Sequence, residues 1–466
     1  MNCTTCKPTV GEGENGREKF PGPTTNACKL CTPLGACLAY KGIAGTVPFL
    51  HGSQGCATYI RRYLISHFRE PMDIAASNFA EHSAVFGGRD VLHTGLANVA
   101  TQYSPELIGV ATTCLSETIG ENMPQLLREY RERKDVPHDA ALVQVSTPSF
   151  KGTHVDGYHT AVRGLTETLA TGTGEHNGPV ALFPGFVSAE DLRHLKEVFA
   201  AYEAPLTLVP DYSETMDGGS WAAYERIPTG GTPVGDVRAL GSARAAIECG
   251  RVLAGESRTA GTLLGKNFSV PLHRLGLPIG LRETDQLTAV LGALTGREMP
   301  KEVAAARGRL IDAMVDGHKY VFGQRAVVYG DEDLVIGLVS FLCEIGVTPV
   351  LCASGGRSRR FEKTLRAAVP ELPAETVIRE GADFASIGAE AETLKADLLL
   401  GNSKGYSLAR RLEIPLVRCG FPIHDRIGGH RLLHLGYRGA LGLYDLVVNA
   451  LLERKQDTSS IGYAYL

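Results

Sequence analysis

Short apolar runs alternate along most of the chain with longer segments in which apolar positions recur every three or four residues. Runs too short for a helix, separated by segments of helical period, predict βαβ units and mostly parallel sheets. Three sets stand out. The first holds residues 46–50, 107–113 ("LIGVATT") and 141–146 ("ALVQVS"), with a helix beginning near His154. The second holds "VALFPGF" at 180–186 and "LTLVPDY" at 206–212, with "DLRHLKEVFAAY" as the helix between them. The third holds "RAVVYG" from Arg325, the helix "DEDLVIGLVSFLCEIG", and then "TPVLCAS" from Thr348, "DLLLGNS" from Asp397 and "PLVRCGFP" from Pro415. Glycine and proline clusters near 171–179 and 213–235 predict loops, and the stretch near 297–308 reads as a connection into the third set.

A length of 466 residues suits about three domains of ~150 residues each. The expected fold class is therefore α/β, with three Rossmann-like domains and mostly parallel sheets. A flexible segment at 1–25 would lead into domains at 26–170, 171–300 and 301–466, the last closing on a C-terminal helix. Lys plus Arg number 47 and Asp plus Glu 51, and no long basic run marks a phosphate-tracking surface, so no nucleic-acid partner is expected. The polar, Gly- and Pro-rich opening lacks the apolar core of a signal peptide. No segment reaches the ~18 consecutive apolar residues of a membrane span. The expectation is a cytoplasmic protein without a membrane partner.

Cysteine changes the picture. Eleven of them, an odd number in a large chain, argue against a disulfide framework and for thiols used in packing, metal binding or catalysis. In open parallel sheets ligands gather beyond the carboxyl ends of strands. Cys56 follows the 46–50 run through "HGSQGC", whose two glycines let the backbone turn sharply and lie close against a bound group. Cys114 ends "ELIGVATTC", and Cys31 in "CKLCTPLGAC" precedes a helix entered through Pro33. All three thiols should reach one edge of the first domain. Thiolates at strand ends beside glycine loops suit an iron-sulfur cluster. Three such ligands leave a four-iron cubane one short, which a partner chain would supply. The pairs Cys3 with Cys6 and Cys28 with Cys31 have a C-x-x-C spacing also used for zinc. A plain turn ending in a buried thiol also fits Cys56. Cys37, Cys249, Cys343, Cys352 and Cys419 fit core packing.

Eight motifs in order carry a family resemblance: "CTPLGA" at Cys31, "HGSQGC" at His51, "HFREP" at His67, "AVFGG" at Ala84, "TTCLSETIG" at Thr112, "TPSF" at Thr147, "GNS" at Gly401 and "GFPIHDR" at Gly420. Together they resemble the β-type subunit of nitrogenase component 1 and its relatives, over residues 26 to about 455. The resemblance implies three Rossmann-like domains, pairing with an α-type subunit into an α2β2 heterotetramer, and an iron-sulfur P-cluster (8Fe-7S) shared at each αβ interface. It makes Cys31, Cys56 and Cys114 this chain's iron ligands and Ser149 a further cluster ligand on oxidation. Ser149 also fits the N-cap of the helix near His154. Tyr59 matches a tyrosine near the cluster. Phe86 matches an aromatic in the docking face for the homodimeric, ATP-dependent iron protein. Helix packing and a turn anchor are the alternatives for these two.

The active-site metallocofactor of the family lies in the α-type subunit. The C-terminal "RCGFPIHDRIGGHR" matches the β-type pattern, so His424 and His430 are not assigned as ligands and no catalytic residue is assigned to this chain. A chain shorter than most dinitrogen-reductase β chains, with "LVPDYSETMDGG" and "IPTGGTPVGDV", resembles the cofactor-assembly scaffold branch, which would hold a (4Fe-4S) cluster. All three cluster cysteines are nevertheless present. That combination resembles the nitrogenase-like methylthio-alkane reductases, oxidoreductases that cleave C–S bonds to methanethiol and a hydrocarbon.

Overall fold

A computed structural model describes residues 26–137 and 139–460. The expected flexible segment at 1–25, with Cys3 and Cys6, lies outside the described residues. The described residues build three sheets, and every ladder between named strands is parallel. The first contains β1 (Thr46–His51), β2 (Ala75–Ala76), β3 (Leu107–Thr112) and β4 (Ala141–Val145), in the order β2-β1-β3-β4. The second contains β5 (Val180–Phe183), β6 (Leu206–Leu208), β7 (Ala246–Cys249) and β8 (Leu272–Leu275), in the order β6-β5-β7-β8. The third contains β9 (Arg325–Gly330), β10 (Thr348–Ser354), β11 (Val377–Arg379), β12 (Leu398–Gly401) and β13 (Leu416–Arg418), in the order β11-β10-β9-β12-β13.

Burial on both faces explains why these strands read as continuous apolar runs. In the first sheet Val47, Phe49, Ile108 and Val110 pack on one side against Leu92 and Leu96. The alternate residues Leu50, Leu107 and Ala111 join the larger core with Leu34, Leu38 and Val162. One expectation fails: part of the stretch near 297–308 is no connection but the opening of the helix Lys301–Val321. Pro300 precedes its first turn, where a missing N–H costs nothing. Gly317 of that helix lies against Tyr444 of the long C-terminal helix Gly436–Asp457.

One helix crossing positions the site. Helices Thr32–Lys41 and His154–Leu169 approach backbone to backbone. A Cβ on Gly35 would lie 1.7 Å from the carbonyl oxygen of His154, and one on Gly157 would lie 1.8 Å from that of Thr32. Two side-chain-free positions let the helix starts meet, and this brings the segment before Thr32 beside the loop that follows β4.

Candidate functional site

Cys56 and Cys114 stand just beyond the carboxyl ends of β1 and β3, and Cys31 stands at the amino end of the flanking helix Thr32–Lys41. Cys31 is the exposed N-cap residue of Thr32–Lys41, and its side chain makes no capping bond. Cys56 lies in the first turn of the helix Gln54–Phe68, capped by Ser53, and Cys114 opens the helix Cys114–Thr118, capped by Thr113. Both are half-buried.

The chain explains locally why two of these loops touch. Gly52 follows β1, and Thr113 follows β3. A Cβ on Gly52 would lie 1.8 Å from the Thr113 Oγ1, so only glycine lets the loops close. The Gly52 N–H donates to Ser77 Oγ at 2.9 Å, and Ser77 Oγ also contacts His51 Nδ1 at 3.1 Å. His51 is fully buried and its Nε2 pairs with Glu121, which also accepts the Gly88 N–H. This fixed underside holds the "HGSQGC" turn.

The Cys31 and Cys114 thiols lie close enough to Cys56 to act on it. Burial raises the Cys56 pKa, and the neighbouring Cys31 and Cys114 thiols raise it further. Ser149 links the group: its N–H donates to Cys114 Sγ at 3.2 Å, and its Oγ accepts the Thr32 N–H, also at 3.2 Å. Ser149 therefore caps the Thr32–Lys41 helix from far along the chain. The sequence expectation that it caps the helix near His154 is corrected, because Thr153 and Asp156 form the capping box there. Ser149 lies earlier, in the loop that precedes Thr153.

Tyr59 and Phe86 are both largely exposed, at 65% and 76%, so neither packing within a helix nor anchoring a turn accounts for them. Phe86 ends the short helix Glu81–Phe86 with the His82 ring centroid 4.7 Å from its own. The Cys28–Cys31 pair divides. Cys28 is buried among residues of the third sheet, its N–H bonded to the Ala382 carbonyl and its thiol pushed up to about 12 by burial. Among the described residues no three His, Cys, Asp or Glu side chains converge on a single metal ion. Cys37, Cys249, Cys352 and Cys419 are buried as expected, whereas Cys343 is only half-buried.

Two residues near the site escape sequence reasoning. Lys404, directly after the quoted "GNS", donates from Nζ to the Ala27 carbonyl and, at 3.4 Å, to that of Lys29. Cys28 and Cys31 lie close enough to favour its charge, against a larger opposing effect of burial. It ties the third sheet to the segment that carries Cys31. His154 Nδ1 accepts the Leu30 N–H at 3.4 Å and steadies the same segment. A lone lysine after a strand carries no periodic signal, but its place beside a quoted motif was a pointer.

Comparison with known proteins agrees with this arrangement. The family model described as nitrogenase component 1 type oxidoreductase matches residues 31–452. The chain belongs to this family. It is 35% identical over 430 residues to the nitrogenase molybdenum-iron protein beta chain of Clostridium pasteurianum, covering 92% of this chain and 93% of that one. It is also 35% identical over 447 residues to the beta chain of Methanothermobacter thermautotrophicus, covering 94% and 96%. The solved structure of nitrogenase Cp1 at pH 6.5 superposes with a TM-score of 0.92 at 32% identity, covering 97% of this chain and 98% of that chain. The chain is thus a β-type component 1 subunit of an oxidoreductase with the expected fold. Shortness does not set it apart from dinitrogen-reductase β chains, since these two relatives are matched over nearly their whole length. Among the described residues, no helix is long and apolar enough to cross a membrane.

Proposed function

We propose that this chain is the electron-relay subunit of a nitrogenase-type reductase. Cys31, Cys56 and Cys114 hold an iron-sulfur cluster of P-cluster type together with thiolates of an α-type partner, in an α2β2 assembly served by a homodimeric, ATP-dependent iron protein. The observation that carries the reading is that three thiols from separate parts of the chain meet at one edge: Cys31 and Cys114 lie close enough to Cys56 to act on it, and Ser149 bonds both the Cys114 sulfur and the Thr32 N–H beside Cys31. Clustered thiolates repel one another unless iron binds them, and Fe–S clusters take cysteine thiolates as ligands. The donor set is soft and partly exposed, as a site completed by a second chain requires. When bound, such a cluster accepts and passes on electrons.

The chain's own residues orient and protect. Gly52 keeps the Cys56 loop against the Cys114 loop, and the Ser149 N–H directs a hydrogen bond at the Cys114 sulfur, the kind of contact that tunes cluster potential. Ser149 Oγ lies where a further oxygen ligand could act, beside the first turn after Cys31. Phe86 and Tyr59 are exposed aromatics suited to a docking reductase and to the cluster surroundings, respectively.

For the substrate, the complete cysteine set together with the scaffold-like segments "LVPDYSETMDGG" and "IPTGGTPVGDV" supports a methylthio-alkane reductase. Dimethyl sulfide, two electrons and two protons would give methane and methanethiol. The second reading is dinitrogen reduction, favoured by the names of the relatives, which are nitrogenase molybdenum-iron protein beta chains. The test is turnover by the complex with its α-type partner, iron protein, MgATP and a reductant, offered dimethyl sulfide or dinitrogen in parallel. Methanethiol in many-fold excess over protein, abolished by Cys56→Ala, supports the first reading, and ammonia alone replaces it with the second. Donation of a cofactor to an apo component 1 without turnover of either would make the complex an assembly scaffold. Cys31→Ala, Cys56→Ala and Cys114→Ala should each lower bound iron, and Cys249→Ala should not. Full iron in all three would overturn the ligand set.

A further inference from the structure

A cleft of about 780 Å³, lined by none of Cys31, Cys56 and Cys114, opens where the carboxyl ends of β5, β7, β9 and β10 face the helix His154–Leu169. Its size is that of a small-molecule site, and its position is that in which parallel sheets bind ligands. The charges lining it divide into committed and uncommitted groups.

The carboxylates are committed. Asp156 caps its own helix, accepting from the Thr153 N–H and hydroxyl. Glu248 accepts the Thr259 hydroxyl at 2.7 Å and the Gly261 N–H at 3.1 Å, and Glu256 pairs with Arg360. After β9, Asp331 accepts the Leu334 N–H, Glu332 the Ser358 N–H, and Asp333 the N–H groups of Val252 and Leu253. Burial raises all three of these last carboxyls, to about 7, 6 and 6.

Among the cations, Arg258 pairs with Glu167, and Lys29 donates to the Gly152 carbonyl. Arg163 and Arg357 have no carboxylate partner among the described residues, and the Arg163 Nε is buried without any hydrogen-bond partner. Lys151 lies only over the Phe150 ring, 5.9 Å from its centroid. A guanidinium is not neutralised by losing its proton, so the buried unused donor of Arg163 calls for an acceptor from outside the chain, and the exposed Arg357 is free to share it. Arg163 rises from the helix wall with His159 one turn before it. Arg357 lies on the loop after β10, where its Nε would be 2.1 Å from a Cβ on Gly381. The two arginines thus belong to different walls of one cleft.

We propose that this cleft binds a small organic or inorganic polyanion, carrying two or more phosphate or carboxylate groups, held between Arg163 and Arg357. Lys151 adds a third positive charge at the rim. The segments 27–29 and 150–153 that line the cleft run directly to Cys31 and Ser149, so occupancy stiffens the approach to the candidate cluster site. This coupling rests on the cluster assignment, whereas binding itself does not.

The test is isothermal titration of the purified complex with pyrophosphate and, separately, with succinate; acetate and glycerol serve as monoanion and neutral controls. Saturable binding of pyrophosphate or succinate, one per β-type chain, is expected, and the stronger of the two assigns the phosphate or carboxylate source. Arg163→Gln and Arg357→Gln should each weaken it at least about tenfold, the loss of one charge-assisted bond. Arg309→Gln, on the distant Lys301–Val321 helix, should leave it unchanged. Succinate binding should tighten from pH 8 to pH 6.5, as the raised carboxyls after β9 begin to take up protons. Each variant's melting temperature without ligand separates lost binding from lost folding. Binding of neither polyanion, or equal affinity in both arginine variants and wild type, overturns the proposal. Unaltered iron content in a variant that has lost polyanion binding removes only the coupling to the cluster.

Discussion

Gly52→Ala probes the contact that brings two candidate ligand loops together. The added methyl would lie 1.8 Å from Thr113 Oγ1 and 2.9 Å from both Thr113 Cβ and Cγ2. Ordinary contact requires about 3.4 Å or more, so one loop must retreat by more than an ångström. Neither loop is free to do so. The Gly52 N–H is bonded to Ser77, and the Thr113 hydroxyl lies 3.3 Å from the His51 carbonyl. Overpacking of this kind costs about 1–3 kcal/mol, and at φ +154° the backbone strain of an L side chain cancels the usual gain from a stiffer unfolded chain, leaving a net loss of about 2–3 kcal/mol. The retreat also separates Cys56 from Cys114. The assay is the melting temperature together with iron content of the anaerobically purified complex, for Gly52→Ala, Thr113→Ala and the double variant. Thr113→Ala removes the closest atom, so the double variant should be better than the sum of the single effects. A Gly52→Ala protein with wild-type melting and full iron, or strict additivity in the double variant, would refute the reasoning.

Ser149→Ala should remove the acceptor for the Thr32 N–H, lowering stability by about 1 kcal/mol in thermal melting, and remove the candidate oxygen ligand, shifting the cluster's redox behaviour in potentiometric titration, while the backbone N–H to Cys114 Sγ stays; an unchanged protein by both measures would contradict both roles of the hydroxyl. Phe86→Ala should slow turnover driven by the iron protein more than turnover driven by a small chemical reductant, and an equal loss with both would indicate damage to the fold. Burial, with His430 and His424 nearby, lowers His67 from 6.5 to about 3, so its neutral form stabilises the fold fully above pH 6.5 and that contribution is lost as pH falls toward 3. Denaturation between pH 7 and 5 should therefore show a decline on the order of 1–2 kcal/mol that His67→Gln diminishes, and an identical decline in the variant would discount His67.

The strands of the three sheets were legible because burial on both faces leaves uninterrupted apolar runs, as in "LIGVATT" and "RAVVYG". The loops that carry Cys31, Cys56 and Cys114 were legible for a related reason, since each thiol follows a strand or precedes a helix marked by Pro33 or glycine. Other features depend on contacts across the chain or on weaker patterns. The helix Lys301–Val321 was hidden at its start, where Ala and Arg crowd the first turns and blur the apolar stripe. Ser149 capping Thr32 spans 117 residues, and Lys404 holding the Ala27 carbonyl spans 377, distances at which local pattern carries nothing. The buried His51–Glu121 pair beneath the glycine turn likewise joins two loops that only the fold brings together.

The central claim is that Cys31, Cys56 and Cys114 jointly bind iron at a surface shared with an α-type partner. Its most direct test is a crystal structure of the anaerobically purified complex with anomalous-difference density collected at the iron edge. The account predicts iron bonded to all three sulfurs, with the remaining ligands supplied by the partner. Iron-free sulfurs at these three positions, in a complex that carries iron elsewhere, would contradict it.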